Sequence, residues 1–182
     1  MNIYVIRHGR TNNNDLGLFN GRNDEDINDI GIEQAKKVRD TLRKINIDLI
    51  ICSPMKRTKH TANIININNI PIIYDNRLIE RDTGDITLMP YEIIDREEYW
   101  NYYYTKYKNV ETVDNLLKRV YSCINDIIKN YNNKNILIVT HNGVARAIYA
   151  YFNGIPKDGK IWKIGTQKNC EIRKYNNKSG NK

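Results

Sequence analysis

The tripeptide Arg7-His8-Gly9 follows directly on the apolar run Tyr4–Ile6, which is typical of a short buried strand. A neutral imidazole is a good nucleophile, and the planar guanidinium of an adjacent arginine matches the oxygens of a phosphate dianion. The pair therefore suits phosphoryl transfer through a phosphohistidine intermediate. Because a single Arg-His-Gly occurs often by chance, this hypothesis requires the other groups that such chemistry needs.

Three further groups of the right kind stand later in the chain, each close to the end of a predicted strand. Arg57 lies at a strand-to-helix junction, Glu80 follows another apolar run, and His141 stands where a later strand meets a helix. In open α/β sheets, ligand sites lie beyond the carboxyl ends of the strands. The sequence therefore predicts that these three groups meet His8 at one edge of a sheet.

Taken together, these blocks resemble the histidine phosphatase superfamily, the phosphoglycerate-mutase-like proteins, from Ile3 to about Tyr175. The resemblance covers nearly the whole chain and is far more specific than any single motif. It implies an enzyme that works through a phosphohistidine, either as a phosphatase or as a mutase. Further positions that match the family pattern are Asn14, Asn20-Gly21, Asn23-Asp24, Ile27, Gly31, Gln34-Ala35, Val110-Glu111-Thr112, Arg119-Val120 and Asn169–Ile172.

The basic groups have a common expected role around the phosphoryl group. His8 is the candidate nucleophile, while Arg7, Arg57 and His141 are expected to clamp the three peripheral oxygens and stabilise charge in the transition state. The backbone N–H of Asn142, at the predicted start of a helix, is a further candidate donor to the anion. The alternative for these residues is a purely structural role at a strand end or a helix start.

Glu80 is the candidate general acid, which protonates the leaving oxygen and then activates water for dephosphorylation. Its alternative role is that of a surface carboxylate paired with Arg77 or Arg81. The resemblance further implies that Asn14 donates to the phosphate and that Gly21 permits close approach of the backbone to the substrate. These predictions place one carboxylate and several donors around a single phosphomonoester.

Two histidines and a glutamate also suit a metal ion, because zinc accepts such ligands. Arg7 and Arg57 in the same site would repel a dication and attract a dianion, so we expect metal-independent chemistry and no cofactor. His60 lies among polar residues of a predicted helix and is expected at the surface. Arg10 stands where the family usually has Glu or Gln, which either adds positive charge near the site or directs that charge to solvent.

The bulk composition fits a soluble globular chain, with 40% hydrophobic and 27% charged residues among 182. No apolar run has the length of a membrane span, and Arg7-His8 interrupts the first apolar stretch, so we expect neither a membrane segment nor a signal peptide. The net charge is +8, but the basic residues form no run, and we expect no nucleic-acid partner. The sequence leaves open whether the protein is a homodimer.

Three widely spaced cysteines are expected to be reduced thiols in a cytoplasmic protein, namely Cys52, Cys123 and Cys170.

Apolar runs alternate with amphipathic segments, which favours a three-layer α/β/α sandwich with a largely parallel central sheet. The chain is interpreted as one domain, 1–182, with a short lid segment around 85–110 and a frayed tail over 176–182. Strands are predicted at Asn2–Ile6, Asp48–Cys52, Pro71–Tyr74, Asn135–Val139 and Cys170–Tyr175. Helices are predicted after a cap at Asp29, over Met55–Ile67, within about 91–107, over Val113–Tyr131 and over Gly143–Phe152.

The segment between Glu80 and Glu111 bears on the two activities that the resemblance implies. Cofactor-dependent mutases resemble this chain but carry a longer insertion there, rich in basic groups that hold a bisphosphate. Here the segment is short, acidic and aromatic, with few basic residues, which favours a phosphatase acting on a small phosphorylated metabolite with an apolar or ring-bearing group. A cofactor-dependent phosphoglycerate mutase remains an alternative, as does a non-catalytic protein that binds a phosphate ligand or a partner.

Overall fold

The computed structural model describes residues 1–176, in which five strands form one sheet. In the order β3-β2-β4-β1-β5, the three neighbouring pairs among β1 to β4 are parallel and only the β1–β5 pair is antiparallel. The predicted largely parallel sheet is therefore confirmed. The strands are β1 (Asn2–Arg7), β2 (Leu49–Cys52), β3 (Ile72–Tyr74), β4 (Asn135–Thr140) and β5 (Ile172–Asn176).

Helices cover both faces of the sheet, which completes the predicted α/β/α sandwich. The apolar sides of α5 and α6 pack on one face, while those of α2 and α3 pack on the other. The helices are α1 (Asn12–Asp15), α2 (Asp29–Leu42), α3 (Lys56–Ile65), α4 (Arg96–Tyr99), α5 (Val113–Asn130) and α6 (Asn142–Asn153).

The side chains of strand β1 contribute alternately to the two hydrophobic clusters on opposite faces of the sheet. Ile3 and Val5 join the cluster under α5 and α6, whereas Tyr4 and Ile6 join the cluster under α2 and α3. Successive side chains of a strand point to opposite faces, so a strand covered on both sides is apolar throughout. This double burial holds the end of β1, and therefore His8, in a fixed position.

Most predicted element boundaries agree with the structure to within a few residues. The hydroxyl of Thr112 accepts a hydrogen bond from the Asn115 amide and caps α5 as predicted. The cap of α2 is Asn28 rather than Asp29, because it is the Asn28 side chain that accepts from the Gly31 amide. The predicted frayed tail lies outside the described residues except for Asn176, which is the last residue of β5.

The aromatic helix predicted within 91–107 is present only as a single turn. The structure has a single 3-10 turn at Tyr91–Ile93 and the one-turn helix α4, with the rest irregular. Trp100, Tyr103, Tyr104 and Tyr107 do have helical spacing, but Tyr103 and Tyr104 are exposed and the backbone around them is irregular. Tyr99, the last residue of α4, and Trp100 directly after it are instead buried in the core.

All three cysteines are free thiols buried inside the fold. Burial raises the pKa of Cys52 to about 12 and has the same effect on Cys123 and Cys170. These thiols are therefore protonated packing groups rather than nucleophiles. Among the described helices, none combines the length and apolarity needed to cross a membrane.

Candidate active site

The groups predicted to do chemistry converge at the carboxyl ends of β1 and β4 and at the start of α3. They surround a cavity of about 400 Å³. Seven of the eight predicted site residues line this cavity, namely Arg7, His8, Asn14, Gly21, Arg57, Glu80 and Asn142. The eighth, His141, lies directly behind the lining, with its ring centre 5.3 Å from that of His8. We call Arg7, His8, Arg57, Glu80 and His141 the floor of the cavity.

His8 is held in one orientation by its own loop. It is 3% exposed, and its Nδ1 lies 2.7 Å from the carbonyl oxygen of Gly9. A carbonyl only accepts, so Nδ1 carries the proton and the lone pair is on Nε2. Burial, reinforced by the charges of Arg57 and Arg7, holds the pKa of His8 well below its usual range. His8 is therefore a neutral imidazole with Nε2 as its nucleophilic atom.

His141 is fully buried and both of its ring nitrogens are bonded within the protein. Its Nδ1 accepts from Arg57 Nε at 3.2 Å, and its Nε2 lies 2.8 Å from the hydroxyl oxygen of Ser53. Burial and the charge of Arg57 keep its pKa well below the usual range, so the ring is neutral with its proton on Nε2. In this arrangement His141 orients Arg57, and it reaches a phosphoryl oxygen only if the Ser53 bond is exchanged.

Arg57 and Arg7 supply positive charge without a carboxylate partner. Arg57 donates from Nη1 to the Asn23 carbonyl at 2.7 Å and from Nη2 to the Gly21 carbonyl at 2.8 Å, and Arg7 donates from Nη1 to the Gln167 carbonyl at 3.1 Å. Within the described chain, neither guanidinium forms an ion pair. Carbonyl partners orient a guanidinium without neutralising it, so both charges are available to an anion.

Arg7 also has an unused donor at the cavity. Its Nε is buried and has no hydrogen-bond partner among residues 1–176. A buried donor without a partner costs free energy, on the order of 1–3 kcal/mol. An oxygen of a bound phosphoryl group would satisfy this donor, which makes it part of a site prepared for an anion.

Glu80 faces the same space from the opposite side. Its Oε1 accepts the backbone N–H of Arg81 at 2.8 Å, and its Oε2 accepts that of Gly143 at 3.3 Å. A Cβ on Gly143 would lie 2.5 Å from Oε1, so only glycine allows the carboxylate to sit against the start of α6. The alternative role as a surface ion pair is excluded, because Arg77 pairs with Asp75 and the Arg81 side chain bonds to carbonyls.

The three residues assigned to substrate binding all face the cavity. Asn14 Oδ1 accepts from Asn169 Nδ2 at 3.3 Å, which holds the amide at the rim. Asn142 is the first residue of α6 and its Oδ1 accepts from the Gln167 amide at 3.0 Å. Gly21 has φ +48°, and a Cβ there would collide with the Thr83 hydroxyl, so the glycine is required by the protein itself as well as by any ligand.

Two basic residues near these motifs lie outside the site. Arg10 does not line the cavity and forms an ion pair with Asp15, with its side chain 41% exposed. Its charge is therefore directed to the surface rather than to the phosphate. His60 is exposed as predicted, and its Nδ1 lies 3.0 Å from Oδ1 of Asp26. In the part of the chain that the structure describes, no group of three or more His, Cys, Asp or Glu residues is arranged to hold a metal ion.

The sequence predicted only part of the outer cavity, namely the lid segment around 85–110. The outer cavity is formed by the segment 91–100, by Phe19, by Arg146 within α6 and by residues that follow α6. No local motif marks Phe19, Arg146 and Trp162 as neighbours, because they come from separate segments that meet only in the folded chain. We call the following set the outer wall: Phe19, Tyr91, Ile94, Arg96, Tyr99, Trp100, Arg146 and Trp162.

The geometry defines an α/β protein with a neutral histidine, arginines without ion pairs and one carboxylate arranged around a single cavity. The model of the histidine phosphatase superfamily (branch 1) matches residues 3–182, and the chain belongs to that family. The resemblance inferred from the motifs is thereby confirmed, and the chain is an enzyme of the phosphatase kind.

Curated relatives and solved structures agree with this assignment. The chain is 33% identical over 153 residues to an uncharacterized phosphatase, PhoE, of Bacillus subtilis, covering 84% of this chain and 77% of the relative. It is 28% identical over 178 residues to the adenosylcobalamin/alpha-ribazole phosphatase of Escherichia coli, covering 93% and 87%. A mycobacterial glucosyl-3-phosphoglycerate phosphatase, solved with VO3, superposes with a TM-score of 0.85 at 20% identity over 95% of this chain and 90% of that one, which shows the shared fold.

Proposed function

We propose that this protein hydrolyses small phosphomonoesters without a metal ion, through a phosphohistidine formed on Nε2 of His8. The observation that carries the proposal is the hydrogen bond from His8 Nδ1–H to the Gly9 carbonyl at 2.7 Å. This bond leaves the Nε2 lone pair available, and the lowered pKa keeps it unprotonated. The nucleophile is therefore prepared before the substrate arrives.

The reaction has two steps in which Glu80 reverses its role. In the first, Nε2 attacks phosphorus, the bond to the leaving oxygen breaks, and protonated Glu80 gives its proton to that oxygen. In the second, the Glu80 carboxylate takes a proton from water, the water oxygen attacks phosphorus, and the N–P bond breaks to release phosphate. Arg7 and Arg57 stabilise the charge on the peripheral oxygens in both steps.

The aromatic side chains of the outer wall favour a substrate whose leaving group contains a ring. Phe19 and Tyr91 meet edge to face with ring centres 4.7 Å apart, and Phe19 lies 5.0 Å from Tyr99. Aromatic side chains in such clusters gain from contact with a further ring. Relatives named for alpha-ribazole and for phosphoserine act on small phosphorylated compounds, which is consistent with a cavity of this size.

We further propose that the protein resides in the cytoplasm. Three buried, free cysteines in a described chain without a disulfide are typical of a reducing compartment. Cell fractionation with an antibody to the native protein tests this proposal, and recovery in a secreted fraction would overturn it.

The reaction mechanism is tested by His8→Ala, with His60→Ala as the matched control at an exposed imidazole outside the cavity. We expect His8→Ala to lose at least about a thousandfold in kcat on phenyl phosphate and to trap no acid-labile phosphate, because both ring nitrogens of His141, the other imidazole of the floor, are bonded within the protein. The control should retain wild-type kcat. Activity that survives in His8→Ala, or that disappears on adding a chelator, would contradict the proposal.

The mutase alternative is tested on the same preparation. Isomerisation of 2- and 3-phosphoglycerate is measured with and without a bisphosphoglycerate, beside hydrolysis of phenyl phosphate. We expect the hydrolysis to be faster and the bisphosphate to have no stimulating effect. Isomerisation that depends on the bisphosphate and exceeds every hydrolysis rate would establish the mutase instead.

A further inference from the structure

The cavity carries more positive charge than one phosphomonoester can balance. Its lining contains four arginines and a single carboxylate, that of Glu80, which leaves a surplus of three positive charges with His8 neutral. A phosphomonoester dianion offsets two of them. The remaining surplus favours a substrate that carries negative charge beyond its phosphoryl group.

Two of those arginines, Arg96 and Arg146, belong to the outer wall and not to the floor. Neither forms an ion pair with any carboxylate of residues 1–176. The acidic residues of the neighbouring segment do not line the cavity, since Glu97 pairs with Lys160 and Glu98 with Lys106. The acidic side chains of the segment thus lie outside the cavity, while its one arginine, Arg96, lines it.

Arg146 is a cation fixed deep in the wall. It is 3% exposed, its Nη1 donates to the carbonyls of Ile161 and Trp162 at 3.0 and 2.7 Å, and its guanidinium lies 4.4 Å from the centre of the Trp100 ring. Its Nε is buried without a partner among the described residues, and so is the indole N–H of Trp162. Burial lowers the pKa of Arg146 to about 10, which leaves it charged at neutral pH.

We propose that the outer wall is a second anion subsite, and that the preferred substrates are phosphomonoesters whose leaving group is a ring bearing a carboxylate. Arg146 and the Trp162 N–H form the inner donors of this subsite, and Arg96 adds charge at the cavity mouth. The rings of Phe19 and Tyr91 contact the ring of the leaving group. The inference rests on the proposed function, because it names the substrate of the same site.

The test compares two substrates of equal shape that differ in charge. These are 4-carboxyphenyl phosphate and 4-carbamoylphenyl phosphate, each also used as its 3-isomer. We expect wild-type kcat/KM to favour the carboxylate over the carboxamide by about tenfold in at least one isomer, the effect of one charge-assisted hydrogen bond. A carboxamide hydrolysed as well as the carboxylate in both isomers would overturn the inference.

The variants Arg96→Gln and Arg146→Gln test whether these two arginines cause the preference for the carboxylate. Each should lower the carboxylate-to-carboxamide ratio several-fold, whereas Lys106→Gln, which removes a nearby positive charge outside the cavity, should leave the ratio unchanged. Arg96 is exposed, so that variant keeps the test valid if Arg146→Gln does not fold. An equal loss of preference in all three variants would show a general field effect and would also overturn the inference.

A binding measurement separates this inference from the proposed function. Calorimetry with His8→Ala measures Kd for the same two esters without turnover, and we expect tighter binding of the carboxylate. If wild type hydrolyses neither ester while the carboxylate still binds more tightly, the proposed function fails and the subsite stands. If both esters are hydrolysed through phosphohistidine and bind equally, the function stands and the subsite fails.

Discussion

The floor and the outer wall of the cavity are built in opposite ways. Most floor groups come from strand ends and helix starts, while Glu80 follows a 3-10 turn, and backbone groups hold His8 and Glu80 through bonds of 2.7 to 3.3 Å. The wall combines Phe19, the segment 91–100 and Trp162 with Arg146 from α6, and its rings are placed by packing on one another. Backbone hydrogen bonds position the atoms for chemistry, whereas packed side chains from separate segments shape the space that the leaving group occupies.

This difference predicts that the floor sets the rate of phosphoryl transfer and that the outer wall sets substrate preference. Changes to the floor should lower the rate for every substrate, because the phosphoryl group is common to all of them. Changes to the wall should alter the ranking of substrates while the chemistry continues.

Glu80→Gln should separate substrates by their need for a proton. With an alkyl phosphate we expect kcat to fall by about 10²- to 10⁴-fold, because a poor leaving oxygen requires general acid catalysis. With an activated aryl phosphate the loss should be much smaller. Steady-state kinetics on both esters checks this, with Glu92→Gln as a control carboxylate outside the cavity. Equal losses on both esters would assign the acid role to another residue.

Gly143→Ala should disturb the same carboxylate through the backbone. The added Cβ would lie 2.5 Å from Glu80 Oε1, so the carboxylate must shift, and misplacement by about 1 Å can cost on the order of a hundredfold in rate. We expect that loss on an alkyl phosphate, with vanadate affinity retained. Gly165→Ala is the matched control, since its Cβ meets no atom within 4 Å. Full activity of the Gly143 variant would show that Glu80 is not held by this contact.

The two buried histidines should make the fold sensitive to acid. His8 and His141 have lowered pKa values in the folded state, so the unfolded chain binds more protons and the free energy of unfolding decreases as pH falls below about 6.5. The slope approaches about 1.4 kcal/mol per pH unit for each group. Above the unfolded pKa both states hold neutral imidazoles, and these two groups no longer change the free energy of unfolding with pH.

Urea unfolding at pH 7.5 and 5.5 measures this effect. His8→Asn should lose less stability than wild type between the two pH values. The same lowered pKa keeps His8 able to attack on the acidic side of neutrality. A pH dependence that is identical in His8→Asn and wild type would contradict the assigned burial and charge effects.

Tyr91→Leu should have the smallest effect and should act on substrate choice alone. Loss of the edge-to-face contact with Phe19 is expected to lower kcat/KM for phenyl phosphate by about two- to tenfold, with little change for a small alkyl phosphate. Tyr103→Leu is the matched control, because Tyr103 is 85% exposed and does not line the cavity. A uniform loss on both substrates would show that the wall also positions the floor.

The sequence by itself determined the sheet, its flanking helices and the chemical groups of the floor. Double-sided apolar strands such as β1 are recognisable locally, and the end of each strand marks where a functional side chain must stand. The remaining errors in such elements are small: the cap of α2 is Asn28, one residue before the predicted Asp29. The sequence does not distinguish the two, because several polar residues at a helix start can serve as its cap.

Only the tertiary structure decided which partners the floor residues use and what forms the wall. The Ser53 hydroxyl against His141, the Gln167 carbonyl against Arg7, and the outward ion pair of Arg10 are contacts between distant segments that no local pattern encodes. In the segment 91–107 only Arg96–Tyr99 forms an α-helix, because the burial of Tyr99 and Trp100 and the exposure of Tyr103 depend on tertiary packing. Arg146 shows the same limit: its helical position is evident from sequence, but its place beside Trp100 in the cavity depends on the folding of segments far apart in the chain.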